Sequence, residues 1–145
     1  MSELLGKMAE SLIAGKIDEV VDLTKEALDG GAAPADILEQ GLLAGMDVVG
    51  KRFKAEEMFI PEVLRCAKCM HGAMEILRPL LAETGVETAG TFVIGTVKGD
   101  LHDIGKNLVG MMFEGAGFQV IDLGIDLEPS ACVEAIKQHK AGLFG

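Results

Sequence analysis

The stretch Gly99-Asp100-Leu101-His102-Asp103-Ile104-Gly105 follows an apolar run, Thr91-Phe92-Val93-Ile94-Gly95-Thr96-Val97, and leads into Lys106-Asn107-Leu108-Val109. The run over 91–97 reads as a buried strand and the segment after Asp103 as a helix start. A histidine two residues after an aspartate, in a glycine-bounded loop at a strand end, is held on a short tether. That is how a chain presents a metal ligand or a base.

Downstream the pattern repeats. A helix over 104–114 stops at Gly115-Ala116-Gly117, residues 118–123 read as a second strand, and Pro129 opens a helix that runs through Ala135 and Ile136 to about Lys140. Strand, helix, strand, helix implies a right-handed parallel βαβ unit whose ligand edge is formed by the loops at the carboxyl ends of the strands. Residues 99–105 lie on that edge. A third strand begins only at Gly142-Leu143-Phe144-Gly145. Two strands and the start of a third have too little area to bury both faces, so the reading expects an abbreviated α/β domain or one completed by another chain.

Upstream the spacing is helical. Leu4, Leu5, Met8, Leu12 and Ile13 share one face up to Gly15, and Ile17, Val20, Val21, Thr24 and Leu28 share another up to Gly30-Gly31. Pro34 suits a helix start, and Ile37, Leu38, Leu42, Met46, Val49 and Phe53 form the third stripe. Phe59-Ile60-Pro61 opens the fourth, through Val63, Leu64, Ala67, Met70, Met74, Leu77 and Leu81. Four amphipathic helices joined by short turns make a bundle. The switch of periodicity falls in residues 84–90, which divides the chain into domains 1–87 and 88–145.

Thirteen basic against 23 acidic residues give a formal net charge of −10, which repels phosphate backbones and anionic lipid, so neither nucleic acid nor membrane is an expected partner. No apolar run reaches the roughly 20 residues needed to span a bilayer, and the first residues lack a basic segment followed by an apolar one. Three cysteines, Cys66, Cys69 and Cys132, are too few and odd in number for a disulfide framework. Together these features point to a cytoplasmic protein.

Among candidate sites, Gly95, Gly99 and Gly105 fit neither dinucleotide-binding nor P-loop spacing; they read instead as places where a bulky ligand approaches the backbone. Cys66-x-x-Cys69 with His71 resembles half a metal site, but no second pair completes four ligands, so these cysteines read as core or cofactor-facing. The methionines recur at helical spacing and read as core, and Lys51-Arg52-x-Lys54 as a solvated helix end. For His102 the plain alternative is a solvated loop histidine. If Asp100 accepts a hydrogen bond from one imidazole nitrogen, however, the other becomes a lone-pair donor of raised basicity. One histidine does not hold bare zinc, which wants three or four protein ligands, but it can be the single protein ligand of a metal that brings its own macrocycle.

Asp100-x-His102-x-x-Gly105, set within residues 95–109, closely resembles the signature of cobalamin-binding domains of the methionine-synthase and corrinoid methyl-carrier type. Val49-Gly50-x-x-Phe53 followed by Phe59-Ile60-Pro61-Glu62-Val63 resembles the helical cap that precedes such domains. The resemblance implies an N-terminal all-α four-helix bundle followed by a flavodoxin- or Rossmann-like parallel-sheet domain, with cobalamin bound between them. It implies His102 as the lower axial ligand to cobalt and Asp100 as its hydrogen-bonding partner. Gly99, Leu101, Asp103, Ile104 and Gly105 would line the lower face and nucleotide tail, and Phe59 and Val63 would cover the upper face. Phe59, Val63 and Cys66, spaced i, i+4 and i+7, would share the helix face that forms that lid.

The implied activity is methyl carriage on the corrinoid between a donor-specific methyltransferase and an acceptor methyltransferase, by a carrier subunit rather than a complete enzyme. A reductive activation protein and a second copy of the chain complete the implied partners. The family's α/β domain continues with a Ser/Thr-containing strand end and a glycine-rich loop around the nucleotide tail. Neither is found in these 145 residues, so the reading expects a truncated domain. Two other functions fit less of the sequence: a cobalamin-sensing regulatory module, which needs a DNA-binding segment, and an enzyme without corrinoid that uses His102 as a general base.

Overall fold

The computed structural model describes residues 1–85 and 88–145, which form two compact units, Met1–Glu87 and Thr88–Gly145. Part of the 84–90 switch region, Val86 and Glu87, lies outside the described residues.

In the first unit, α1 (Ser2–Ile13) and α2 (Ile17–Asp29) bury the stripes that their periodicity marks, with Met8, Leu12, Val20 and Ala27 fully excluded from water. Each such Leu, Val or Met side chain contributes roughly 1.5–3 kcal/mol by leaving water. Thr24 is equally buried, and its hydroxyl donates to the Val20 carbonyl at 2.8 Å, so no polar atom is left without a partner.

The third helical run is not one α-helix. A single turn, α3 (Pro34–Asp36), passes into a π-helical segment (Ile37–Leu43) and then into α4 (Ala44–Lys54). The cause is close packing on α1. A Cβ at Gly41 would sit 2.6 Å from Met8 Sδ, and one at Gly45 would sit 3.2 Å from the Ala9 carbonyl oxygen. The stripe through Ile37, Leu38, Leu42 and Val49 is buried, whereas Phe53 at its end is exposed.

Helix α5 (Ile60–Thr84) crosses the unit, with Pro61 in its first turn and Gly85 in the left-handed conformation at its end. Val63, Cys66, Cys69, Met70 and Leu77 carry its buried face. Phe59 precedes the helix in extended backbone, its N–H donating to Glu62 Oε2 at 2.9 Å.

The second unit is built on three parallel strands in the order β2-β1-β3: β1 (Thr91–Ile94), β2 (Gln119–Asp122) and β3 (Leu143–Phe144). Phe92 faces Val120 on one side and Leu143 on the other. The connections are α6 (Ile104–Gly115) and α7 (Pro129–His139). Because β2 and β3 lie on opposite sides of β1, two right-handed crossovers put α6 and α7 on opposite faces of the sheet and make β1 the point where the winding reverses. Phe92, Phe113 and Phe118 pack in sequence, with ring centroids 4.1 and 5.2 Å apart.

Strand β1 stops three residues short of the apolar run that marks it. Past Ile94 the backbone leaves β2 and pairs with the β2–α7 connection: the Thr96 N–H donates to the Gly124 carbonyl at 2.9 Å, and the Leu127 N–H donates to the Thr96 carbonyl at 3.0 Å. Val97 and Leu127 then form an isolated parallel bridge. A Cβ at Gly95 would collide with Leu127 Cδ1, so the glycine is what lets this connection lie against the strand end. Among the described residues, no helix is long and apolar enough to cross a membrane.

Candidate functional site

The β1–α6 loop emerges from the carboxyl end of β1, where the winding reversal opens a crevice. It is folded by its own polar atoms. The Asp100 N–H donates to the Val97 carbonyl at 3.1 Å, closing a turn. Asp100 Oδ1 then accepts two bonds, from the His102 backbone N–H at 2.9 Å and from the His102 ring, with Nδ1 at 2.5 Å. From below, the hydroxyl of Thr96, a nearly buried residue, donates to the His102 carbonyl at 2.6 Å.

These bonds define the electrostatics. The His102 backbone N–H, and after it the imidazole, hold the Asp100 carboxyl below the usual carboxylate range. An ionised carboxylate only accepts, so Nδ1 carries the proton, and in the neutral imidazole the lone pair is on Nε2. The imidazole is 96% exposed, which leaves that lone pair facing out of the protein. Val97, Leu101 and Ile104, in the same short stretch, are all exposed apolar side chains, each more than two-thirds accessible. A nitrogen donor among apolar groups, with open space above Gly99 and Gly105, suits a flat, largely apolar ligand carrying a metal at its centre. Among the described residues, no three His, Cys, Asp or Glu side chains form a metal cluster.

The start of α6 is tied to the sheet by an ion pair. Lys106 Nζ lies 2.6 Å from Asp122 Oδ2 at the end of β2 and also donates to Asn107 Oδ1 at 2.7 Å. Burial alone raises the Asp122 pKa, but the Lys106 hydrogen bond, the Gly124 N–H and the Lys106 charge outweigh it and hold the carboxyl below its ordinary value. From the β2–α7 connection, Asp126 Oδ1 accepts from the Gly99 N–H at 2.8 Å, and Lys98 pairs with Glu128 at 2.6 Å.

Gly99, Asp100, Leu101, His102, Asp103, Ile104 and Gly105 thus stand together on one exposed loop edge, with Asp103 capping α6. The shared face of Phe59, Val63 and Cys66 does not form. Phe59 is 67% exposed, whereas Val63 and Cys66 are 2% and 1% exposed in the helical core. Phe59 is the extended N-cap before Ile60, so its side chain does not follow the helical spacing that Val63 and Cys66 share. Val63 is a packing residue in this structure. The Cys66 thiol donates to the Ile13 carbonyl at 3.4 Å, and burial raises both thiols, that of Cys69 to about 11, as inert core cysteines require.

Thr96, Lys106, Asp122 and Asp126 carry weight in the site that their sequence neighbourhoods do not announce. The available signals are weak: a lone hydroxyl in an apolar run, and Asp122-Leu123-Gly124-Ile125-Asp126 as a turn before Pro129.

Residues 4–78 and 90–145 each match a protein family described as a B12 binding domain. A corrinoid protein of Desulfitobacterium hafniense is 39% identical over 145 residues, covering 98% of this chain and 67% of the relative. Monomethylamine corrinoid protein 2 of Methanosarcina acetivorans is 40% identical over 141 residues, covering 96% of this chain and 65% of its own length. The chain therefore spans about two-thirds of the length of these relatives. Among solved structures, the methanol:cobalamin methyltransferase complex MtaBC from Methanosarcina barkeri superposes with a TM-score of 0.85 at 30% identity, over 98% of this chain and 55% of that one. With both units matched by that family and relatives about 40% identical over nearly the whole chain, this chain belongs to the B12-binding corrinoid protein family.

Proposed function

We propose that this chain carries a methyl group on cobalamin, between a methyltransferase that takes it from a small methylated donor and a second methyltransferase that passes it to an acceptor. The observation that carries the reading is the Asp100–His102 pair, with Nδ1 committed to the carboxylate and Nε2 left exposed among apolar side chains. Bound there, the corrinoid would supply a cobalt centre able to accept and release a methyl group.

The chain's own part is positional and electrostatic. His102 Nε2 would hold the cobalt, and Asp100, bonded to Nδ1, would fix the ring's tautomer and orientation. Gly99 and Gly105 leave room for the ligand's approach, Leu101 and Ile104 offer apolar contact, and Asp103, the exposed residue that precedes α6, is assigned to the same face. Phe59, exposed on the helical unit, is assigned to contact with the cofactor, and Val63, buried in the first turn of α5, to shaping that cover. Names of the relatives, monomethylamine and trimethylamine corrinoid proteins, favour methylamines as donors. Partner methyltransferases and a reductive activation protein belong to the same proposal, as does a carrier rather than a complete-enzyme role.

The test is absorbance spectroscopy after mixing with hydroxocobalamin and gel filtration. Co-elution of the cofactor with protein, with a spectrum altered from that of free cofactor, is expected. Elution of all cofactor as the unaltered small molecule would refute the reading.

A further inference from the structure

The bonds that shape the Asp100–His102 turn are short-range: Val97 to Asp100, Asp100 to His102, and Thr96 to His102. They fix the turn's internal form and tie it to the end of β1 at Thr96. A second tie, from the β2–α7 connection, comes from Asp126. Its Oδ1 accepts from the Gly99 N–H at 2.8 Å, and its own backbone N–H donates to the Asp100 carbonyl at 3.2 Å. One residue therefore holds the peptides that flank Gly99 and Asp100, through the Gly99 N–H, 27 positions away in sequence, and the Asp100 carbonyl. The neighbouring Lys98–Glu128 pair is solvent-exposed on both sides and adds little restraint.

Asp126 adopts φ +54°, a left-handed conformation uncommon for a residue with a side chain. Aspartate tolerates that region better than most residues, and here the conformation brings both its carboxylate and its N–H to bear on the loop. The connection bearing it is itself fixed to the strand end by the Leu127 N–H to Thr96 carbonyl bond and by Thr96 N–H to Gly124.

From this geometry we infer that Asp126 is a positioning residue: its bonds to the Gly99 N–H and the Asp100 carbonyl set the direction in which His102 Nε2 is presented. The ligand assignment of His102 comes from the proposed function, on which this inference rests. What Asp126 controls is the presentation of the imidazole, through hydrogen bonding rather than through its own titration.

The experiment compares Asp126→Ala, which removes the acceptor, with Asp126→Asn, which keeps an acceptor oxygen and suits the same backbone conformation. Amide hydrogen exchange is read by NMR in cobalamin-free protein. Asp126→Ala should speed exchange at Gly99 about tenfold or more while leaving Phe92, Val93 and Ile94 unchanged, and Asp126→Asn should stay within about twofold of the parent. With hydroxocobalamin at fixed pH, the equilibrium for imidazole coordination seen in the visible spectrum should fall about tenfold in the alanine variant and recover in the asparagine variant. Unchanged Gly99 exchange in Asp126→Ala, a uniform rise that includes the β1 amides, or an asparagine variant as fast as alanine would overturn the inference. Failure of the parent to retain cobalamin would instead overturn the proposed function, and the exchange measurement would still decide whether Asp126 holds the loop.

Discussion

His102 is almost wholly exposed, yet its ring has little freedom, because its backbone N–H and Nδ1 both bind one carboxylate oxygen two residues away. That arrangement is legible in sequence: an i, i+2 tether needs only the order Asp-x-His and a turn. Asp126 is not legible in the same way, since its bonds close over 27 residues and depend on a connection whose path only the folded sheet defines. The helix face shared by Phe59, Val63 and Cys66 fails for a third reason, because Phe59 stands before the first turn of α5. The Asp100 carboxyl is held below the ordinary range, so the order it confers is complete above the unfolded value of about 3.9 and is lost only as pH falls through the lower folded value. The His102 amide resonance should therefore show an acid transition at a pH under the unfolded carboxylate value of about 3.9. Asp100→Asn, which has no carboxylate to protonate, should abolish that acid transition, as an NMR pH titration will show.

At the scale of elements, the helical stripes through Met8, Val20, Ile37 and Met70 are readable because burial recurs with the helix period. The π-helical segment over Ile37–Leu43 is not, because it arises from the approach of Gly41 and Gly45 to α1, a contact between elements rather than within one. Strand β1 is shorter than its apolar run for a related reason: residues beyond Ile94 are covered by the β2–α7 connection and bonded to it. Gly95→Ala should push Leu127 off the strand end, lowering unfolding stability of the second unit by about 1–3 kcal/mol, measurable by urea denaturation. The Lys106–Asp122 pair ties α6 to β2. Because the Asp122 pKa is lowered, its contribution is present above the unfolded value and disappears as pH falls through the folded one. Asp122→Asn should cost about 1 kcal/mol or less at pH 7, given its partial exposure, and less at a pH under the unfolded carboxylate value of about 3.9. Denaturation at the two pH values separates these outcomes.

For the whole molecule, the two family matches coincide with two compact units, one helical and one built on a parallel sheet. Both fold classes follow from periodicity alone, 3.6 in the first half and strand-like runs in the second. The cofactor does not follow from periodicity; it rests on a short motif and on the order in which helical cap and motif occur. A ligand that binds only the folded chain stabilises it by mass action, so hydroxocobalamin at a hundredfold excess over Kd should add about 2.7 kcal/mol and raise the melting temperature. A melting temperature indifferent to cobalamin would contradict binding. The most direct test of the central claim is the visible spectrum of His102→Ala beside that of the parent, each isolated with hydroxocobalamin by gel filtration. The account predicts that the parent shows cobalt coordinated by a protein imidazole, and that the variant loses this signature while keeping its fold by circular dichroism. Identical spectra from the two proteins would contradict it.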